Sequence, residues 1–178
     1  RSSWAGVQEA LPGYHTYAYD LRGHGETTLG AADGTLAQLG GDLLAFLEKV
    51  TGPAICVGYS LGGTVVLWAA AANPQLVTSA VVAGTSSVVG RRAGEFFEQR
   101  IRMIGSNFPE FAEALRSDTA AQLVARPEAV DRVVERRLKA VGDGGGYINA
   151  AQAMRKLVSE PLTPILSKIR CPLGVIGG

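Results

Sequence analysis

The residues best suited to chemistry lie in the segment VGYSLGG, residues 57–63. Five of them match the pattern G-x-S-x-G: Gly58, Tyr59, Ser60, Leu61 and Gly62. An apolar run precedes this pentapeptide and an alanine-rich run follows it, so a strand should give way to a helix at the serine. Such a turn holds a serine in a sparsely populated backbone conformation and projects its hydroxyl outward. The pattern therefore predicts a nucleophile elbow, with Ser60 as the nucleophile.

The backbone around this serine is expected to contribute as well. A helix that begins after Ser60 leaves its first N–H groups without acceptors inside the helix. We expect the Leu61 N–H, the first of these, to stabilise the negative charge on a carbonyl oxygen under attack. Gly58 and Gly62 are expected to let the strand and the helix approach closely. The alternative interpretation is a glycine-rich strand-to-helix turn in which the serine is incidental.

Strand and helix patterns alternate around this motif. Strand-like runs are HTYAYD (15–20), PAICVGY (53–59) and LVTSAVVAG (76–84), and helical patterns cover 35–50 and 61–72. Thr35 and Gln38 form a T-x-x-Q capping box at the start of the first helix. The unbroken apolar run PAICVGY is typical of a strand buried on both faces. The alternation predicts an α/β fold, with a mainly parallel sheet and helices on both faces.

The pattern changes from about Val88 to Leu166, where strand signals vanish and charges of both signs recur at helical spacing. The apolar positions indicate four helices, near 96–104, 108–115, 130–141 and 147–158. GDGGG (142–146) is interpreted as a hinge between the last two, and CPLGVIGG (171–178) as a further buried strand. We therefore predict a core at residues 1–87, an all-helical lid at 88–166 over the strand ends, and a core strand at 167–178.

Several of these segments resemble the α/β-hydrolase fold family. YDLRGHGETT (19–28) is similar to the D-x-R-G-x-G stretch after that family's fourth strand, and SSWAGVQEALPGYHTYAYD (2–20), with Trp4, to the helix and strand before it. VGYSLGGTVVLWAAAANP (57–74) resembles the nucleophile elbow and its helix, and IRCPLGVIGG (169–178) the strand before the acid residue. The resemblance covers essentially the whole chain. It implies a lidded serine hydrolase of the esterase, lactonase, C–C hydrolase or haloperoxidase-like group, in an incomplete form of the fold.

The resemblance also implies a catalytic triad in the chain order serine, acid, histidine. The acid is expected just past the LGVIGG strand, beyond Gly178, and the histidine further on. The alternative acid position, after AVVAG, holds Thr85 and Ser86. The chain's two histidines, His15 and His24, both precede the serine, and the RGHG turn is interpreted as structural. We therefore expect the 178 residues alone to lack a complete triad and to be a poor catalyst.

Other polar clusters are interpreted as surface. Asp118, Asp131 and Asp143 are predicted to be solvated lid carboxylates. Arg91–Arg92 and Arg136–Arg137 each have acids within about a helical turn, which indicates solvated helix faces rather than phosphate binding. No cluster has metal-ligand spacing, and GDGGG is not a dinucleotide fingerprint, so neither a metal nor a cofactor is expected.

Composition and charge also limit the partners and the cellular location that we expect for this protein. A formal net charge of +1 favours neither nucleic acid nor a membrane surface as a partner. The apolar stretch TVVLWAAAA is too short to span a bilayer. Cys56 and Cys171 lie in or beside apolar strand-like runs and are predicted to be buried free thiols. Free thiols favour a reducing, cytoplasmic location.

Two functions remain open from the sequence. The first is a hydrolase that acts on small carboxylic esters or related acyl substrates through an acyl-enzyme at Ser60. The alternative is a non-catalytic protein of the same fold that binds a small ligand, or an inactive truncated product.

Overall fold

The structure, a computed structural model, describes residues 2–177. Its helices and strands follow in the order α1 (Ala5–Glu9), α2 (Leu36–Phe46), β1 (Ala54–Tyr59), α3 (Leu61–Ala72), β2 (Val77–Ala83), α4 (Arg91–Ser106), α5 (Phe108–Gln122), α6 (Val130–Val141), α7 (Gly145–Lys156) and β3 (Leu173–Ile176). Arg1 and Gly178, which bound two of the predicted domains, lie outside the described residues.

The three strands form one parallel sheet in the order β1-β2-β3. β1 pairs with β2 up to Tyr59↔Ala83, and β2 pairs with β3 up to Ala83↔Ile176. Parallel neighbours need a crossover, which α3 supplies between β1 and β2. Helices α4 to α7 lie in the connection between β2 and β3. The predicted α/β class is confirmed, and the strand ends that precede Ser60 and Gly84 meet at one edge of the sheet.

Helix α3 is the buried centre of the fold. Its run of alanines has high helix propensity, and it ends at Ala72, with Asn73 as the C-cap before Pro74. It packs on β1, β2 and α2, and Ala69 and Ala70 are fully buried there. The helix predicted at residues 61–72 is confirmed, and most of its residues are buried.

The outer strands are less buried than predicted. Cys56 and Gly58 of β1 are buried, but the alternate side chains are exposed, with Ile55 at 54%. All four residues of β3 are exposed. The predictions that PAICVGY and CPLGVIGG form fully buried strands are therefore wrong. In β1 the physical reason is that α3 packs against one face of the sheet, and the side chains that point away from it stay accessible. β3 lies at the edge of the sheet, beside β2.

The predicted strand at residues 15–20 is also wrong, because the structure forms no strand in this segment. A strand needs a ladder partner, and a groove lined by Tyr17, Tyr19 and Ile55 separates the segment from β1. The tyrosines pack on α2 instead. Tyr19 stacks on Phe46 with ring centroids 5.0 Å apart.

Helix α2 begins as predicted, but with half of the predicted capping box. Thr35 Oγ1 accepts a 3.0 Å hydrogen bond from the Gln38 amide. The Gln38 side chain does not return to Thr35. Its Oε1 accepts from the Asp33 amide at 3.2 Å, while Asp33 Oδ1 accepts from the Thr35 amide at 2.8 Å. Asp33 therefore takes over the second half of the cap.

Helices α4 to α7 confirm the helical character of the block predicted as a lid. They enclose a small cluster of their own around Phe111, Leu115 and Val141. Ala153 and Met154 of α7, in contrast, belong to the main core. The block is therefore anchored to the core through α7, and its division from the core at residues 88 and 166 stays a prediction.

The two cysteines differ in their surroundings. Both are free thiols, as predicted. Cys56 is buried in the core, but Cys171 is only partly buried, so the prediction of burial holds for Cys56 alone. Among the helices of residues 2–177, none is long and apolar enough to cross a membrane.

Candidate active site

Ser60 has the backbone geometry that sets this site apart. Its φ of 52° and ψ of −123° make it the one non-glycine residue with positive φ in the described part of the chain. Such a conformation costs about 1–3 kcal/mol for an L-residue and persists only where its surroundings impose it. The Ser60 amide donates to Ala83 O at 2.9 Å, and its carbonyl accepts from the Gly63 amide at 3.0 Å. Both β2 and α3 therefore hold the residue, whose side chain is exposed at the edge of the sheet.

Two glycines permit the close approach of β1 and α3. A Cβ on Gly58 would overlap the backbone of Gly62 and Gly63, and a Cβ on Gly63 would overlap Thr85 Oγ1. At Gly62, in contrast, a Cβ would have no neighbour within 4 Å. The geometry therefore assigns the close approach to Gly58 and Gly63 rather than to Gly62. Gly63 is the third glycine of GYSLGG (58–63), and this repetition of glycine is the sequence feature that could have indicated its role.

Two threonines brace the turn, and sequence reasoning missed both. Thr85 Oγ1 donates to the Ser60 carbonyl at 2.6 Å, and Thr64 Oγ1 donates to the Ser86 carbonyl at 3.1 Å. Thr64 is fully buried. Thr85 lies at the alternative acid position, which is therefore occupied by a neutral hydrogen-bond donor.

The Leu61 amide lies at the first position of α3. An amide at that position has no acceptor inside its helix. Among the residues described, it has no other protein acceptor within hydrogen-bonding distance. This N–H is therefore available to a ligand beside Ser60, and its role as an oxyanion donor stays a prediction.

A cavity of about 530 Å³ opens beside Ser60 and Leu61. Its size falls within the roughly 300–1,000 Å³ that is typical of small-molecule sites. Helices α4 to α7 supply most of the wall: Phe96, Phe97, Asp118, Ala121, Gln122, Arg137, Tyr147, Ala150, Ala151 and Met154. The block predicted as a lid thus lines the cavity that contains Ser60.

His24 also lines this cavity, although it was interpreted as part of a structural turn. Its Nδ1 lies 3.1 Å from the Arg22 carbonyl oxygen. Within residues 2–177, no hydrogen bond joins its ring to the Ser60 hydroxyl. The turn itself has a structural task, because the Gly25 amide donates to the Ala140 carbonyl of α6 at 2.9 Å. His15 does not line the cavity and stacks on Tyr17 instead.

Asp118 is not the solvated carboxylate that was predicted. It accepts hydrogen bonds from Arg100 Nη2 at 2.9 Å and Nε at 3.2 Å, and Arg100 is only 7% exposed. The two residues pair because α4 and α5 pack side by side, which the sequence did not reveal. Asp131 and Asp143 are exposed, as predicted.

Arg137 is likewise not on a fully solvated face. Arg136 is exposed, as predicted, but Arg137 is half-buried and faces the cavity. Arg137 Nη1 donates a 2.7 Å hydrogen bond to Thr119 Oγ1, which is buried. Burial raises the pKa of the neighbouring Tyr147, while the charges of Arg100 and Arg137 oppose that rise. Tyr147 therefore stays a neutral phenol beside two guanidinium groups.

The described residues form no cluster of three His, Cys, Asp or Glu side chains that could hold a metal ion. The polar groups available for chemistry are therefore the Ser60 hydroxyl, the Leu61 amide and the polar cavity walls.

A serine held at positive φ, at the edge of a parallel sheet and under a helical block, defines a class of protein. Residues 1–136 match the family model of the alpha/beta hydrolase fold, and the chain belongs to that family. It is 29% identical over 167 residues to 3-oxoadipate enol-lactonase 2 of Acinetobacter baylyi, with 93% of this chain and 61% of that protein covered. It is 27% identical over 174 residues to pimeloyl-[acyl-carrier protein] methyl ester esterase of Neisseria meningitidis, at 90% and 62% coverage.

A solved hydrolase from Pseudomonas aeruginosa superposes with a TM-score of 0.84 at 29% identity, over 99% of this chain and 66% of that one. The chain thus spans a little over three fifths of the length of the two curated relatives.

Proposed function

We propose that Ser60 is the nucleophile of a hydrolase that acts on carboxylic esters or lactones. The observation that carries the proposal is the positive φ of Ser60, imposed by hydrogen bonds from two neighbouring elements. A strained serine in a ligand-sized cavity is difficult to explain by packing alone, because its side chain is exposed. The names of the two curated relatives, a lactonase and a methyl ester esterase, support the choice of ester substrates.

The reaction follows from the groups around Ser60. Its Oγ attacks the carbonyl carbon of the ester and loses its proton to a base, and the carbonyl oxygen becomes an oxyanion that the Leu61 N–H stabilises. The tetrahedral intermediate collapses to an acyl-enzyme as the alkoxide leaves with a proton. Water then attacks the acyl-enzyme by the same route and releases the acid, which regenerates the serine.

The base is the second part of the proposal. His24 lines the cavity without a hydrogen bond to Ser60, and Asp118 is occupied by Arg100. We therefore place the catalytic histidine and its acid beyond Gly178, in the order serine, acid, histidine. The lid at residues 88–166 and a cytoplasmic location belong to the same proposal.

The competing function is that of a small-ligand-binding protein without turnover. The observation that favours it is the lack of a hydrogen-bonded base at Ser60 in the part of the chain that the structure describes. A cavity with apolar walls and a few polar groups would serve binding equally well.

The deciding experiment measures hydrolysis of p-nitrophenyl acetate by the full-length protein that carries this chain. Ser60→Ala should lower kcat/KM on the order of 10⁴-fold or more, because the nucleophile is lost. The matched control is Ser117→Ala, at an exposed serine on α5 outside the cavity. Retention of most activity by Ser60→Ala, or equal losses in the two variants, would show that Ser60 is not the nucleophile. A full-length protein that binds the ester without turnover would favour the competing function.

A further inference from the structure

Arg137 is a cation that faces the same cavity as Ser60. It lies on α6 and is half-buried. Its Nη1 donates a 2.7 Å hydrogen bond to Thr119 Oγ1. Thr119 is 1% exposed, and its hydroxyl donates to the Leu115 carbonyl at 2.6 Å. Because that hydroxyl already donates its proton, it can only accept from Arg137, which fixes one corner of the guanidinium group.

The charge of Arg137 lacks the carboxylate partner that four other arginines have. Four arginines of the described chain lie within salt-bridge distance of a carboxylate: Arg22 of Asp42, Arg100 of Asp118, Arg102 of Glu98 and Arg116 of Asp131. No described carboxylate lies within 4.0 Å of the Arg137 guanidinium. Asp118, the acidic residue of the same cavity wall, is occupied by the two hydrogen-bonding nitrogens of Arg100.

This pairing leaves Arg137 as the charged residue of the cavity wall that has no ion-pair partner among the described residues. Asp118 and Arg100 compensate each other, whereas Arg137 is uncompensated. A half-buried charge without a counter-charge is costly, and a ligand that supplies the counter-charge recovers that cost. A guanidinium has five N–H donors in a planar fork, and Thr119 engages one nitrogen. The rest of the fork matches the two oxygens of a carboxylate.

The remaining cavity wall suits the chain that would join a carboxylate to an ester. Phe96, Phe97 and Met154 line the cavity together with Ser60 and Arg137. Apolar walls favour a methylene chain because its burial removes apolar surface from water. One end of such a ligand would lie at Ser60 and the charged end at Arg137.

We propose that Arg137 binds a free carboxylate of the substrate, so that the substrates are half-esters or lactones of dicarboxylic acids. The proposal rests on the proposed function for the reaction at Ser60, but the binding of the carboxylate by Arg137 is a separate event. It makes Arg137 a specificity-determining residue.

The test compares two esters of equal chain length in the full-length protein. Monomethyl adipate has a terminal carboxylate, and methyl hexanoate has a methyl group there. Their ratio of kcat/KM should fall about 10- to 100-fold in Arg137→Gln, since a charge-assisted hydrogen bond is lost. Because both kcat/KM values come from the same protein sample, their ratio does not depend on the fraction of the variant that is folded. Arg136→Gln, one residue earlier and exposed, removes the same charge and should keep the wild-type ratio.

Each outcome decides between the proposals. Hydrolysis of methyl hexanoate with an unchanged ratio in Arg137→Gln overturns this inference and leaves the proposed function intact. Equal falls in both variants indicate a long-range effect of net charge and also overturn it. If neither ester is hydrolysed, the p-nitrophenyl acetate experiment still decides the proposed function, and calorimetric titration with adipate and with hexanoate decides the inference. Adipate should then bind more tightly than hexanoate, and Arg137→Gln should remove that difference. Equal binding of both acids by the unaltered protein would overturn the inference.

Discussion

The hydroxyl of Thr85 donates a 2.6 Å hydrogen bond to the carbonyl oxygen of Ser60. That carbonyl shares a planar trans peptide unit with the Leu61 N–H, so the two groups point in opposite directions. By holding the carbonyl toward the loop after β2, Thr85 keeps the Leu61 N–H pointing the other way. The loop after β2 thus orients the Leu61 N–H, which is the donor at the start of α3.

Thr85→Val should therefore impair catalysis through the orientation of the Leu61 amide. The substitution is close to isosteric and removes a single hydrogen bond, of about 0.5–1.5 kcal/mol. We expect kcat to fall by about 2- to 10-fold, with little change in KM, because the oxyanion develops only in the transition state. Steady-state kinetics with p-nitrophenyl acetate measure both constants. Thr78→Val, at an exposed threonine of β2, is the control, and an equal kcat in the two variants would contradict the orienting role.

Gly58 and Gly62 should respond differently to alanine. Gly58→Ala forces a Cβ into the backbone of Gly62 and Gly63, and we expect it to lower the free energy of unfolding by about 1–3 kcal/mol. Gly62→Ala meets open space in the first turn of α3, and alanine is the better helix former, so stability should stay equal or rise. Urea unfolding of both variants provides the comparison. A loss at Gly62 as large as that at Gly58 would refute the assignment of the close approach.

The Cys56 thiol should make stability depend on alkaline pH. Burial, with a smaller contribution from Cys171, raises the pKa of Cys56 to about 11 from an ordinary value of 9.0. Because the folded-state pKa is the higher one, its contribution to stability is complete below about pH 9 and is lost as pH rises toward 11. The free energy of unfolding should therefore fall more steeply with pH in the unaltered protein than in Cys56→Ala. Parallel curves for the two proteins would count against the shifted pKa.

The two thiols should also differ in reactivity, because Cys56 is buried and Cys171 is only partly buried. Ellman's reagent at pH 8 should label Cys171 in the folded state and spare Cys56.

The features that the sequence predicted well depend on short stretches of chain. The turn at Ser60 follows from glycines within a few residues of it, and α3 follows from an alanine-rich run that ends before Pro74. Thr35 begins α2 because its hydroxyl reaches an amide three residues on. In each case the interacting groups are near neighbours in sequence, so their spacing carries the information.

The features that the sequence did not predict depend on packing between distant elements. Asp118 and Arg137 share helical spacing with truly solvated residues, and only the arrangement of α4 to α7 turns them toward the cavity. The exposure of Ile55 likewise depends on which face of the sheet α3 covers. Residues 15–20 have the composition of a strand, but Tyr17 and Tyr19 pack on Phe46 of α2 and the segment forms no strand. Composition and periodicity contain no information about such neighbours.

The order of the strands also bears on how the chain assembles. β1, α3 and β2 are consecutive, so their contacts close short loops at a small entropic cost. β3 joins β2 only across residues 84–172, and the entropy of closing that long loop opposes the pairing until α4 to α7 have become compact. We therefore expect β3 to dock late, on an edge that the earlier unit already presents. The helices that surround the cavity would then fold before β3 pairs with the sheet beside it.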